Sequence, residues 1–94
     1  LCCNDDMALV TLKVLKEHKI KVPEEISIIG FDNIPLAEYS NPPLTTMNLP
    51  IYEIADKSFF ILENLTRKKK SQNKNFVYKL PMKLIIRESV KKLD

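Results

Sequence analysis

Apolar and polar positions alternate along this chain in three rhythms, and each rhythm predicts a different element. Residues 7–17, MALVTLKVLKE, place apolar side chains at 7, 8, 9, 10, 12, 14 and 15. That spacing predicts a helix buried over a broad face, with Lys13, Lys16 and Glu17 on the wet side. The preceding NDD supplies helix-starting chemistry. Asp5 or Asn4 can cap, and acidic residues suit the positive end of a helix. The helix should stop near His18 and Lys19, with KVPEE as a connection. Leu1 to Cys3 reads as the end of a buried strand. Residues 26–31, ISIIGF, form a nearly continuous apolar run, the pattern of a parallel strand covered on both faces. Strand, helix and strand within about thirty residues make a βαβ unit. The class is therefore α/β, with a mostly parallel sheet flanked by helices.

The second half repeats these signals more weakly. Residues 32–44, DNIPLAEYSNPPL, predict a long loop with one helical turn around Leu36 to Tyr39. TTMNL is a short β-prone run, and Pro50 fits the first turn of a new helix. From Ile51 to Leu65, positions 51, 54, 55, 58, 62 and 65 share one face, and all but Ser58 are apolar. FVYKL and MKLIIRE are two β-prone stretches separated by Pro81, and VKKLD reads as a tail. Between helix and strands runs RKKKSQNKN. A basic run can bind phosphate, but this one lacks the interleaved aromatics that base stacking uses. The expectation is a solvated loop.

Composition changes this picture little. Ninety-four residues, 45% hydrophobic and 29% charged, describe one small globular unit. A chain this short buries only about 60–65% of its unfolded surface, so its stability is marginal without a partner. The net charge of +3 is too mild to indicate nucleic acid. No stretch approaches the roughly 20 apolar residues of a membrane span. The chain opens on Leu1 and reads as a piece of a longer protein, so the lack of a signal peptide carries little weight. Adjacent Cys2 and Cys3 have no spaced partners and suggest neither zinc nor a disulfide framework. They read as small buried strand residues in a reducing compartment. His18 reads as solvated near a helix end. No metal or cofactor is expected.

The only glycine, Gly30, sits in IIGFDN. One reading is a strand ending in a turn, since glycine, aspartate and asparagine all tolerate turn geometry. The sharper reading is that Gly30 thins the strand end so that Asp32 faces a ligand. In a βαβ unit both strands end on the same edge of the sheet, and ligands of open α/β sheets bind outside that edge. Asn4 and Asp32 would then share one rim. A carboxylate accepts hydrogen bonds, and an amide donates and accepts, a pair suited to a polyol, a sugar or a polar heterocycle. Asp5 competes for the ligand role, although helix capping explains it better. Nothing specifies the spacing of paired catalytic acids, a nucleophile elbow, a phosphate-binding glycine loop or a metal set. No enzyme is expected.

NDDMAL, then KVPEEISIIGFDNIPLAEYSNPPLTTMNLP, and finally LIIRES together resemble the C-terminal part of the LacI/GalR family of transcriptional regulators. The match covers nearly the whole chain in order and spacing, and Val22 to Pro50 is its specific part. The resemblance implies a fragment of a two-lobed, periplasmic-binding-protein-like core. Residues 1–48 and 81–90 would belong to the C-terminal lobe, and 49–80 with the N-terminal lobe. Thr46 to Leu49 would be a crossover strand. A DNA-binding headpiece would lie upstream. Asn4 and Asp32 stand where the family contacts its effector; Leu49, Ile51 and Ile54 stand where some members line the cleft. Leu9, Val10, Leu36, Tyr39 and Ser40 match, or adjoin, positions of the family's dimer interface. The implied partners are a small-molecule effector such as a sugar, a second copy, and operator DNA through the headpiece, in the cytoplasm. Two departures stand out: Val10 and Lys19 each replace a glycine usual in the family. A periplasmic sugar-binding protein of the same fold, or an α/β enzyme using Asp32, remain the alternatives.

Overall fold

The computed structural model describes residues 1–67 and 77–93. Helix α1 spans Asp5–Glu17, strand β1 Ile29–Asp32, the short helix α2 Leu36–Tyr39, strand β2 Thr45–Asn48, helix α3 Ile51–Arg67 and strand β3 Lys83–Ile85. The three strands form one sheet in the order β1-β2-β3. β1 and β2 are parallel, with Asp32 opposite Asn48, and β3 runs antiparallel to β2 with Lys83 opposite Asn48. The sheet is thus mixed. Its parallel pair is joined through the α2 segment. The Cys2 amide donates to the Ile29 carbonyl at 2.8 Å, so the chain start lies along β1 without forming a regular strand. The buried-strand reading of the two cysteines is corrected here: Cys3 is exposed and Cys2 half-buried, and both are free thiols.

The chain divides into two compact units, Leu1–Leu49 with Lys83–Asp94, and Pro50–Met82. In the first, Ala8, Leu12, Ile28, Ala37 and Leu44 make the core, and Cys2, Leu9, Leu15, Val22 and Ile34 pack around it. Ala8 and Leu12 stand four apart on the face of α1 that the periodicity assigns to the interior. ISIIGF was expected to be strand throughout, but the ladder begins at Ile29 and Ile26 is exposed. Ile28 pairs instead with the chain end. Its amide donates to the Ser89 carbonyl at 2.8 Å, and the Ser89 hydroxyl donates to its carbonyl at 2.6 Å. Ser89 is fully buried and also accepts from the Thr45 amide at 2.8 Å, while the Lys91 amide reaches Ser27 Oγ at 3.0 Å. Lys91, in the stretch read as a tail, is thus tied to this unit, and Ser89 just before it is anchored there because a hydroxyl can satisfy both backbone groups that a short strand leaves open.

The end of α1 shows how the chain manages without glycine. Lys19 has φ 59°, in the left-handed region. Its amide donates to the Lys16 carbonyl at 3.1 Å, and the Ile20 amide to the Leu15 carbonyl at 2.9 Å. These two bonds define a Schellman end whose special position is Lys19. A side chain there costs about 1–2 kcal/mol. Glycine would remove that cost and lose part of the gain, about 0.4–1 kcal/mol, to the freedom of its unfolded chain. Lys19→Gly should therefore raise the melting temperature slightly, and the β-branched Lys19→Val should lower it. An equal loss from both substitutions would rule out the left-handed cap.

In the second unit, α3 follows Pro50, whose carbonyl accepts from the Ile54 amide at 2.9 Å. The periodicity predicted this helix, but its apolar face is exposed: Ile51, Ile54, Leu62 and Leu65 all lie open. Lys57 Nζ stands 5.3 Å from the centre of the Tyr78 ring. The described part of FVYKL, residues 77–80, is not strand. Most of the basic run, residues 68–75, lies outside the described residues. Among the described residues, no helix is long and apolar enough to cross a membrane.

Candidate functional site

β1 and β2, being parallel, end on the same edge, and there the backbone does something unusual. Asp32 has φ 110° and Asn33 φ 55°. Two consecutive non-glycine residues with positive φ are uncommon and are held only where the surroundings over-determine them. Four hydrogen bonds do so here. The Asn33 amide donates to Thr46 Oγ1 at 3.3 Å, and the Ile34 amide to Asp5 Oδ2 at 2.9 Å. The Asn33 side chain donates through Nδ2 to Asn48 Oδ1 at 2.9 Å and accepts at Oδ1 from Arg87 Nη2 at 3.0 Å. An arginine only donates, so its contact fixes which end of the Asn33 amide is the oxygen. Asp32 is partly exposed. Among the described residues its carboxylate has no hydrogen-bond partner, although its neighbours on the bend are tied down.

Asp5 is the buried foundation of this bend. It is fully buried, with Oδ1 accepting from the Thr46 hydroxyl at 2.6 Å and Oδ2 from the Ile34 amide. It is closed off from solvent and both its oxygens are engaged, unlike a group that faces a ligand. Nor does it cap α1. Asn4 caps, its Oδ1 accepting from the Met7 amide at 2.8 Å. Capping engages the side-chain oxygen of Asn4, and its Nδ2 remains a donor.

Gly30 has no positive φ, so it is no turn glycine. A Cβ at that position would overlap Asp5 Oδ1 and lie 2.9 Å from Leu44 Cδ2. The glycine is there so that a buried carboxylate can pass over β1.

The remaining expected site residues are spread more widely. Leu49 is half-buried just past β2 in the first unit. Ile51 and Ile54 are exposed on α3 in the second unit. Of the expected dimer residues, Leu9 leans on the core, while Val10, Leu36 and Tyr39 are 62%, 62% and 79% exposed. The Ser40 hydroxyl lies 3.0 Å from the Ala37 carbonyl and 2.9 Å from that of Pro42, so it shapes the end of α2. Sequence reasoning missed Asn33, Thr46, Asn48 and Arg87 as parts of the site. Asn33 and Arg87 stand inside the motifs GFDN and LIIRES, but no local periodicity marks them. Among the described residues, no group of three or more histidines, cysteines, aspartates or glutamates could hold a metal ion. A separate hollow of about 490 Å³ beside the end of α1 carries Lys16, Lys19 and Lys21. Lysines at a helix C-terminus complement its dipole without any ligand.

Residues 1–90 match the model of the periplasmic binding protein-like domain. The chain belongs to that family. Within it, the relatives are of LacI/GalR type. Over 93 residues the chain is 43% identical to the HTH-type transcriptional repressor PurR of Vibrio parahaemolyticus, an alignment spanning 99% of this chain and 27% of that protein. A LacI-type transcription regulator from Bifidobacterium animalis superposes with a TM-score of 0.83 at 34% identity, covering 97% of this chain and 32% of that one. A LacI family regulator from Enterococcus faecium with bound ribose gives 0.82 at 33% identity, covering 98% and 34%. The chain thus spans about a quarter of the length of the curated relatives it matches. In this periplasmic binding protein-like fragment, the strand edge carrying Asp32 is the edge at which ligands of open α/β sheets sit.

Proposed function

We propose that the chain is the C-terminal part of the effector-sensing and dimerising domain of a cytoplasmic LacI/GalR-type transcriptional regulator. The observation that carries this reading is Asp32: a partly exposed carboxylate, without a hydrogen-bond partner among the described residues, on a bend clamped at the strand edge. Such a group is preorganised to accept hydrogen bonds from hydroxyl or amino groups. Asn4 adds donors through Nδ2. The two compact units correspond, in this reading, to parts of the two lobes. Val10, Leu36 and Tyr39 present the apolar surface of a dimer contact. A relative with bound ribose, and others with bound sucrose or glucose, favour a sugar as effector. Operator binding would reside in a separate headpiece, as the HTH-type relatives suggest. An effector shifts such a regulator only by binding its two states unequally. The PurR-type and LacI-type relatives favour this reading over a periplasmic sugar-binding protein or an enzyme.

The test is Asp32→Asn in the full-length protein that contains this chain. Asparagine tolerates positive φ and keeps the shape, but it removes the charge. Calorimetric titration with D-ribose, D-glucose, sucrose and a polar heterocycle such as adenine should find at least one ligand. For that ligand Asp32→Asn should lose about 1.5–3 kcal/mol, the scale of a hydrogen bond to a charged group, with melting nearly unchanged. Lower melting with intact binding would make Asp32 a structural turn residue and remove it from the site.

A second, smaller expectation concerns association. Leu36 and Tyr39 are exposed in the described unit, and Leu36→Lys should weaken the dimer of the full-length protein by at least tenfold in sedimentation. An unchanged dimer would place the contact elsewhere.

A further inference from the structure

We infer that Arg87 is a positioning residue for the effector site: it aims Asp32 by anchoring Asn33, without itself contacting ligand. The inference rests on the effector reading of Asp32. Its grounds are geometric. Arg87 lies two residues past β3, yet its side chain returns to the bend. Nη1 donates to the Leu44 carbonyl at 2.7 Å and Nη2 to Asn33 Oδ1 at 3.0 Å. Its own amide is fixed on Thr45 Oγ1 at 2.8 Å. The residue is therefore held at three points, two of them on the guanidinium, which spans from the start of β2 to the strained bend. Its planar fork serves two acceptors at once, which an ammonium cannot do in the same geometry.

The strain is what gives the clamp a purpose. A backbone with φ 110° at Asp32 and 55° at Asn33 relaxes toward ordinary extended or helical angles unless restrained. Two of the four restraints, those through Thr46 and Asp5, hold the backbone amides of residues 33 and 34 from beneath. The other two, Asn48 and Arg87, grip the Asn33 side chain from opposite ends of its amide. Arg87 is the charged member of the set. It reaches Asn33 across 54 residues of sequence, so the chain's last segment reports directly on the angle of the residue beside Asp32.

The experiment is hydrogen exchange read by mass spectrometry on the ligand-free, full-length protein, wild type and variants. In Arg87→Met, fragments covering residues 31–36 should exchange about tenfold faster, the scale of one hydrogen bond to a charged group. Fragments of α1 should stay unchanged. In an Asn33→Ala background the same substitution should add nothing further at residues 31–36, because its route is already cut. No acceleration at the bend, a uniform acceleration across the unit, or an undiminished effect in Asn33→Ala would each overturn the inference; the last two would make Arg87 a brace of Leu44 alone. If Arg87→Met does not fold, Arg87→Lys takes its place with the same criteria, since lysine keeps the charge but not the fork. Titration with D-ribose is the second arm, with affinity about tenfold weaker in Arg87→Met expected. Undiminished ribose binding alongside a loosened bend would break the link between the clamp and the ligand. If ribose fails to bind the wild type, the ribose form of the effector reading fails, while the exchange result still decides the clamp.

Discussion

Gly30→Val is expected to abolish folding of this unit, with loss of soluble protein and no cooperative melting transition. Gly30 is buried in the middle of β1, and a Cβ there would overlap Asp5 Oδ1, sit 3.1 Å from Asp5 Cγ and 2.9 Å from Leu44 Cδ2. Overpacking of a core ordinarily costs about 1–3 kcal/mol because neighbours yield. Here neither neighbour can. Leu44 is fully buried in the core, and Asp5 is fully buried with both oxygens occupied. Moving Asp5 would break two hydrogen bonds to a buried carboxylate, each worth about 1.5–3 kcal/mol. Valine adds two further methyl groups to the collision. The sum reaches the whole stability of a small domain, about 5–15 kcal/mol. A Gly30→Val protein that melts within a few degrees of the wild type would refute the close approach.

The second large effect is a coupled one. Asp5→Ala should cost about 3 kcal/mol, because it leaves the Thr46 hydroxyl and the Ile34 amide without their acceptor in a buried place. Gly30→Ala alone should also be destabilising, since even one methyl meets the carboxylate. Together they should be less damaging than their sum by more than about 1 kcal/mol, since removing the carboxylate vacates the space that the methyl needs. Urea unfolding of the two single variants and the double variant measures the coupling. Strict additivity would mean that Gly30 and Asp5 do not compete for one space. Set beside the Asp32→Asn titration, the cycle contrasts the two carboxylates: Asp5 variants should lose stability first, and Asp32→Asn should lose ligand first.

These effects follow from contacts that the linear sequence did not show. The sequence by itself carried the α/β class, both long helices and the places of the three strands that form, because apolar spacing, caps and prolines act over a few neighbouring residues. It also expected strands at Leu1–Cys3 and in FVYKL, where the described residues form none. MALVTLKVLKE is a helix for local reasons, and its end at His18 and Lys19 is a local matter too. Lys19 was legible as a strained cap only through its likeness to a family that uses glycine there. Gly30 was visibly special, but its purpose was not. Both readings of it looked along the chain, toward Asp32, whereas the cause lies across the chain in Asp5. Asp5 itself looked like a cap because acidic residues before a helix usually are; one residue of phase decided that Asn4 would cap and Asp5 would point inward.

Tertiary structure alone decided the bend and its clamp. Asp5 meets Ile34 across 29 residues and Thr46 across 41, and Arg87 meets Asn33 across 54. No periodicity encodes such pairings, because a hydrogen bond needs only two complementary atoms brought within about 3 Å by the rest of the fold. Ser89 makes the same point from the other end: nothing local marks a serine four residues after a short strand as core, and it becomes core once Ile28 and Thr45 lie beside it. Local physics set the elements of this protein, and long-range polar contacts set where its one unpartnered carboxylate among the described residues of the strand edge would be held.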